Sequence, residues 1–184
     1  SDDVTVIDGA SNQVVATVAV GDGPYALCYN PANNKVYSAN EVSDDVTVID
    51  GASNQVVATV AVGDGPYALC YNPANNKVYS ANLLGNDVTV IDGASNQVIA
   101  TVEVGYNPCA LCYNPLDNKV YSANWSDVTV IDGASNQVIA TVEVGNTPWA
   151  LCYNPQNNKV YSANEASDDV TVIDGASNQV VATV

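Results

Sequence analysis

A seven-residue string, Asp-Gly-Ala-Ser-Asn-Gln-Val, recurs five times, beginning at Asp8, Asp50, Asp92, Asp132 and Asp174, with spacings of 42, 42, 40 and 42 residues. A second string, YNPxxNKVYSAN, begins at Tyr29, Tyr71, Tyr113 and Tyr153. All four lysines of the chain (Lys35, Lys77, Lys119 and Lys159) fall at one position of that string. A period kept this strictly restricts the chain to architectures in which each unit packs on its neighbour in the same way. Copies this alike imply recent duplication or deliberate design.

Each unit holds four short β-type runs. Val46 to Ile49 (VTVI) ends at the turn cluster Asp50-Gly51-Ala52-Ser53-Asn54, where aspartate before glycine predicts an ordinary hairpin. Val56 to Val62 follows, rich in β-branched residues. Gly63-Asp64-Gly65-Pro66 breaks the chain before Tyr67 to Tyr71, and Asn72 to Asn76 turns into Lys77 to Ala81. No window sustains a helical period. Four strands per unit, repeated, predict an all-β fold: a β-propeller of four-stranded antiparallel blades.

The longer pattern VGxxPxALxYNPxNNKVYxANxxSxDVTVIDGAxNQV resembles the YVTN-type β-propeller repeat of prokaryotic surface and secreted proteins, and the resemblance covers the whole chain. It implies that the run after the proline is the innermost strand, A. Tyr25 to Tyr29 is then strand A, Lys35 to Ala39 strand B, Val46 to Ile49 strand C and Val56 to Val62 strand D. Residues 1–20 supply an extra C–D half-blade, and complete blades are expected over 25–62, 67–104, 109–144 and 149–184. The resemblance also implies an extracellular or cell-surface setting. Propellers of that family usually close with about seven blades, and this chain carries fewer.

The segment VTVIDGASNQVVATV stands at both ends of the chain. One reading is a homodimer, two chains closing a ring of about eight blades by two-fold symmetry. In that ring the A–B pair over 149–166 accepts residues 1–20 of the partner as an exchanged hairpin, and one C–D copy is left over. The other reading is a section of a longer array. The chain contains no methionine, so it is expected to be processed, cleaved from a tag, or a window of something longer.

Divergence among the copies is concentrated in two loops. The C–D turn is constant, and the A–B turn varies only at its tip. The D–A loops read Asp22-Gly23-Pro24-Tyr25, Asp64-Gly65-Pro66-Tyr67, Tyr106-Asn107-Pro108-Cys109 and Asn146-Thr147-Pro148-Trp149. The B–C loops read Glu41-Val42-Ser43, Leu83-Leu84-Gly85-Asn86, Trp125-Ser126 and Glu165-Ala166-Ser167. Up-and-down topology puts both sets on one face of the disc, and function resides disproportionately in loops on a rigid scaffold. Tyr25, Tyr67, Tyr106, Trp125 and Trp149, with Leu83, Leu84, Glu41 and Glu165, are the candidate ligand residues, suited to stacking on sugar rings or anchoring a peptide. The competing reading is plain loop drift, with the aromatic after the proline merely capping the contact between blades.

Other chemistry is disfavoured. Four Lys+Arg against 20 Asp+Glu give a formal charge of −16, which repels nucleic acid and anionic lipid. No apolar run is long enough to be a membrane span. With no histidine, no His-based triad can form. Repeated carboxylates share one environment, whereas acid–base catalysis needs two unlike ones, so no enzyme and no cofactor are expected. Cys28, Cys70, Cys112 and Cys152 hold one position in successive A strands, beyond disulfide reach of one another, and are read as small hydrophobes. The C-x-x-C of Cys109 and Cys112 points to opposite faces of a strand and has no second pair, so no zinc site is expected. The recurrent aspartates flanking strand C match no calcium-loop spacing and read as turn residues.

Overall fold

The computed structural model describes residues 2–184; Ser1, the first residue of the expected half-blade, lies outside the described residues. Strand is the only regular element among them. β1 (Asp3–Ile7) and β2 (Val14–Ala19) form a two-stranded sheet. Four four-stranded sheets follow. The first is β3 (Pro24–Asn30), β4 (Lys35–Asn40), β5 (Asp45–Asp50) and β6 (Gln55–Ala61); the second is β7 (Pro66–Asn72), β8 (Lys77–Asn82), β9 (Asp87–Asp92) and β10 (Gln97–Glu103). The third is β11 (Ala110–Asn114), β12 (Lys119–Ala123), β13 (Asp127–Asp132) and β14 (Val138–Glu143); the fourth is β15 (Pro148–Asn154), β16 (Lys159–Asn164), β17 (Asp169–Asp174) and β18 (Val180–Thr183). Every sheet is antiparallel and ordered as the chain runs. The expected four blades and half-blade are present, with edges shifted by a residue or two; β11 starts at Ala110, and the Cys109 amide before it donates a hydrogen bond to the Ala123 carbonyl (2.9 Å).

The first strand of each blade is the innermost one: β3, β7, β11 and β15 pack side by side, and the fourth strands lie outside with mostly exposed side chains. The seams between blades are the core. In the second seam Tyr79, Val88, Val90 and Val102 of one blade meet Val120 and Ile131 of the next, and the other two seams use the equivalent residues. β-Branched side chains fill these flat faces because their stiff χ1 fits a pleated surface.

Polar residues explain the constancy of the SAN…DVT pattern. Within the second blade the Ser80 hydroxyl donates to Asn82 Oδ1 (3.0 Å), while Asn82 Nδ2 donates to Asp87 Oδ1 (2.6 Å) and Thr89 Oγ1 (2.8 Å). Gly63 closes over this network: a Cβ there would meet Asn82 Nδ2 and the Asp87 carboxylate at 2.7 Å. Between blades, Lys77 Nζ donates to the carbonyls of Gly133 (2.8 Å) and Ala134 (3.1 Å) and to Asn136 Oδ1 (2.8 Å), so a B strand is fastened to the next blade's C–D turn. Lys35 and Lys119 repeat the contact. Burial lowers the pKa of Lys77, a shift that Asp132 and Asp92 partly offset.

The C–D turn closes the expected hairpin between β5 and β6. Its left-handed residue is asparagine, Asn54 at φ 57° and its counterparts in every copy. The Asn54 amide reaches back to the Asp50 carbonyl (2.9 Å), and the Asp50 carboxylate accepts from the Ser53 amide (2.8 Å) and hydroxyl (2.7 Å). Those bonds hold the Asp50 carboxyl below its ordinary pKa. Gly51 is required for closeness: a Cβ would meet Asn34 Oδ1 at 2.7 Å and the Asn34 carbonyl oxygen at 2.9 Å.

Both ends of the arc are open. Leu27 and Tyr29 are 57% and 54% exposed, whereas their counterparts Leu69 and Tyr71 pack into the seam before them. At the other end β15–β16 is already paired with β17–β18 of its own chain, so the A–B pair over 149–166 is not left vacant within one chain.

Candidate ligand-binding face

Backbone hydrogen bonds lace the D–A and B–C loops together on one face. The Glu41 amide donates to the Gly23 carbonyl (2.8 Å), Leu83 to Gly65 (2.8 Å), Trp125 to Tyr106 (2.7 Å) and Glu165 to Thr147 (2.9 Å). The variable loops therefore form one connected rim, as the topology required.

Two groups of candidate residues meet there. Tyr25 and Tyr67 stack with ring centroids 4.0 Å apart and their hydroxyls hydrogen-bonded, and Trp149 meets the Tyr67 ring edge-on at 6.2 Å. The bond to the Tyr25 hydroxyl, with burial and the nearby Glu41 charge adding to it, pushes the Tyr67 phenol up to about 12. Beside this cluster Leu83, Trp125 and Trp149 line a cleft of about 240 Å³ together with Asn107, Cys109, Asn124, Thr147 and Pro148. Both indoles remain more than half exposed.

The cleft has a legible origin. Three blades place an aromatic ring after the loop proline (Tyr25, Tyr67 and Trp149); the third places Cys109. Its small side chain leaves room for the cleft, and its thiol lies 3.2 Å from the Pro148 carbonyl. The third blade also has the shorter repeat. The two missing residues come out of its B–C loop, leaving a hairpin tip of Trp125-Ser126 closed by the Asn124 amide on the Asp127 carbonyl (2.9 Å).

The remaining candidates lie apart from the cleft. Leu84 and Tyr106 are exposed, and Leu84 packs over Gly65. Glu165 borders a separate hollow at the open end, with Trp149, Asp168 and Val184. The polar members Asn107, Asn124 and Thr147 escaped the comparison of copies. Asn124 escaped because it is constant, and the other two because divergence in aromatics outweighed them.

The thiols sit in separate surroundings. Cys28 packs into the first seam and Cys112 into the third, while Cys109 lies under the rim, and burial pushes all three up to about 11. Cys109 and Cys112 therefore face different surroundings, although Cys109 lies in the loop before β11 rather than on the strand.

A family model described as YNCE-like beta-propeller matches residues 25–183. Among solved structures, the chain is similar to Kuenenia stuttgartiensis hydrazine synthase, with 23% identity and a TM-score of 0.79 over 97% of this chain and 52% of that one. It is also similar to a functionally unknown protein from Desulfotomaculum acetoxidans DSM 771, with 16% identity and a TM-score of 0.77 over 99% and 64%. The chain thus spans between half and two thirds of the solved chains it resembles. At these identities the likeness concerns the fold alone. A search of curated proteins finds no match.

Proposed function

Because the chain belongs to the YNCE-like β-propeller family, we propose that it is a non-enzymatic scaffold that assembles through its open blade ends, two copies closing one ring of about eight blades. The finer YVTN-type assignment is part of this reading and is supported by the repeat pattern itself. So is an extracellular setting. The observation that carries the proposal is the exposure of side chains whose counterparts the internal seams cover: Leu27 and Tyr29 at one end, Cys152, Tyr161 and Ala163 at the other. Contiguous apolar surface of this kind marks an interaction site. Sedimentation equilibrium of the 184-residue chain is expected to give twice the 19.1 kDa of one chain; a stable single-chain mass across the micromolar range would retire the ring.

A second reading has its own observation. Two half-exposed indoles flank a cleft edged by Asn107, Asn124 and Thr147, an arrangement suited to stacking on a sugar ring while amides and a hydroxyl hold its hydroxyls. Screening against arrayed glycans, with peptides alongside, is expected to give binding that Trp125→Ala and Trp149→Ala each weaken about tenfold or more. Binding to no arrayed compound, or binding indifferent to both substitutions, removes this reading.

A further inference from the structure

Residues 1–18 and 167–184 have the same sequence, SDDVTVIDGASNQVVATV. Their settings differ. The second copy forms β17–β18 and completes the fourth blade, whereas the first forms β1–β2, a two-stranded sheet in which β1 pairs with β2 alone among the described residues. Hollows of about 230 and 400 Å³ lie where that further strand pair would go, walled by β1 and by Leu27, Tyr29 and Val36 of the first blade. Val36 is half-buried, whereas its counterparts Val78, Val120 and Val160 are fully buried.

The internal seams state what the occupant must carry. In each, a B-strand lysine donates to two carbonyls and an asparagine of the next C–D turn, the tyrosine two residues on donates to the same glycine carbonyl, and an A-strand asparagine donates to an asparagine of the next A–B turn. At the first blade the matching acceptors are the Gly51 and Ala52 carbonyls, Asn54 Oδ1 and Asn34 Oδ1. At the last blade the matching donors are Lys159, Tyr161 and Asn154. Among the described residues none of these three donors has a side-chain partner across a seam. The two ends are complementary, residue for residue.

We infer that β1–β2 is an acceptor for the strand pair β15–β16 of a second copy, and that β17–β18 is a built-in competitor for that same pair. This rests on the assembly reading above and gives it a route. When the second copy's β16 pairs with β1, the register seen within the fourth blade is reproduced with identical residues: Lys159 opposite Asp8 in place of Asp174, Val160 opposite Ile7 in place of Ile173, and Tyr161 opposite Val6 in place of Val172. The exchange therefore costs no contact inside the blade. What it adds is a new seam, in which Lys159 and Tyr161 reach Gly51, and Leu27, Tyr29 and Val36 are covered. Done twice, the exchange closes a ring of eight blades and releases two C–D hairpins.

Identical substitutions in the two identical hairpins separate this from any other contact. Val172 is 5% exposed within blade four, and Val6 is its counterpart in β1. Val172→Asp weakens the competitor, so it is expected to tighten two-chain association at least tenfold in sedimentation, while Val6→Asp weakens it at least tenfold. Far-UV circular dichroism of both variants should keep the β signature. A Val172→Asp chain that stays a folded monomer, or unfolds without associating, overturns the inference, since the second copy's intact hairpin should have taken the place. A wild-type dimer indifferent to Val6→Asp also overturns it and leaves the ring reading standing. A wild-type monomer with a dimeric Val172→Asp does the reverse: the exchange holds, and the ring is not the resting state.

Discussion

Replacing Tyr79 by alanine is expected to cost about 3–5 kcal/mol of unfolding free energy, the range for emptying a well-packed aromatic site. Tyr79 is fully buried in the seam between the second and third blades, against Val88, Val90, Val120 and Ile131. No neighbour can collapse into the space without pulling two blades together along their whole length. Its hydroxyl reaches the Gly133 carbonyl and Asn136 Oδ1 only at 3.4 Å, so Tyr79→Phe should cost far less, about 1 kcal/mol. Tyr161→Ala is the internal control. The same residue type at the open end is only half-buried and should lose well under half as much in a single chain. Urea titrations of the three variants check this, and a Tyr79→Ala loss near that of Tyr161→Ala would show that the seams are not the source of stability.

The second large effect is polar. Lys77→Met is expected to destabilise by about 1–3 kcal/mol, since it removes the charged donor shared by three acceptors of the next C–D turn inside a closed seam and leaves two of them only the longer contact from the Tyr79 hydroxyl. Methionine keeps the stem's volume, so packing is little altered. Lys159→Met at the open end should fall within about 0.5 kcal/mol of the parent in a single chain. In a closed ring the two lysines become equivalent, so the size of the Lys159→Met effect at high protein concentration also reports closure. Equal losses for both variants under conditions where the chain is monomeric would contradict the fastening role assigned to Lys77.

Much of this was legible in the residues. The five DGASNQV strings and four YNPxxNKVYSAN strings located the strands to within a residue or two, because each turn cluster leaves the chain one way to fold back. The lysine's task was not legible. A residue repeated at one position reads as an exposed strand end, and only the blade-to-blade geometry shows Lys77 buried and reaching the carbonyls of Gly133 and Ala134. The C–D turn was legible as a hairpin, but not in its internal geometry. Asp50-Gly51 carries a familiar hairpin signal, yet Asn54 takes the left-handed position, and Gly51 is held by its distance from Asn34. At the candidate face, divergence found the aromatics but grouped Leu84, Tyr106 and Glu165 with Trp125 and Trp149. Divergence marks a face; it does not say which of its side chains converge.

The two-residue shortening that creates the Trp125-Ser126 tip leaves the ladder β12–β13 in register from Lys119↔Asp132 to Ala123↔Val128, and the seams on either side keep their residues. Length can therefore change at this rim without being felt in the core. Insertions and deletions, ordinarily the mutations a small β-protein tolerates least, become here a route by which recognition can be rewritten one blade at a time. The constant turns of the opposite face meanwhile bear the cost of folding.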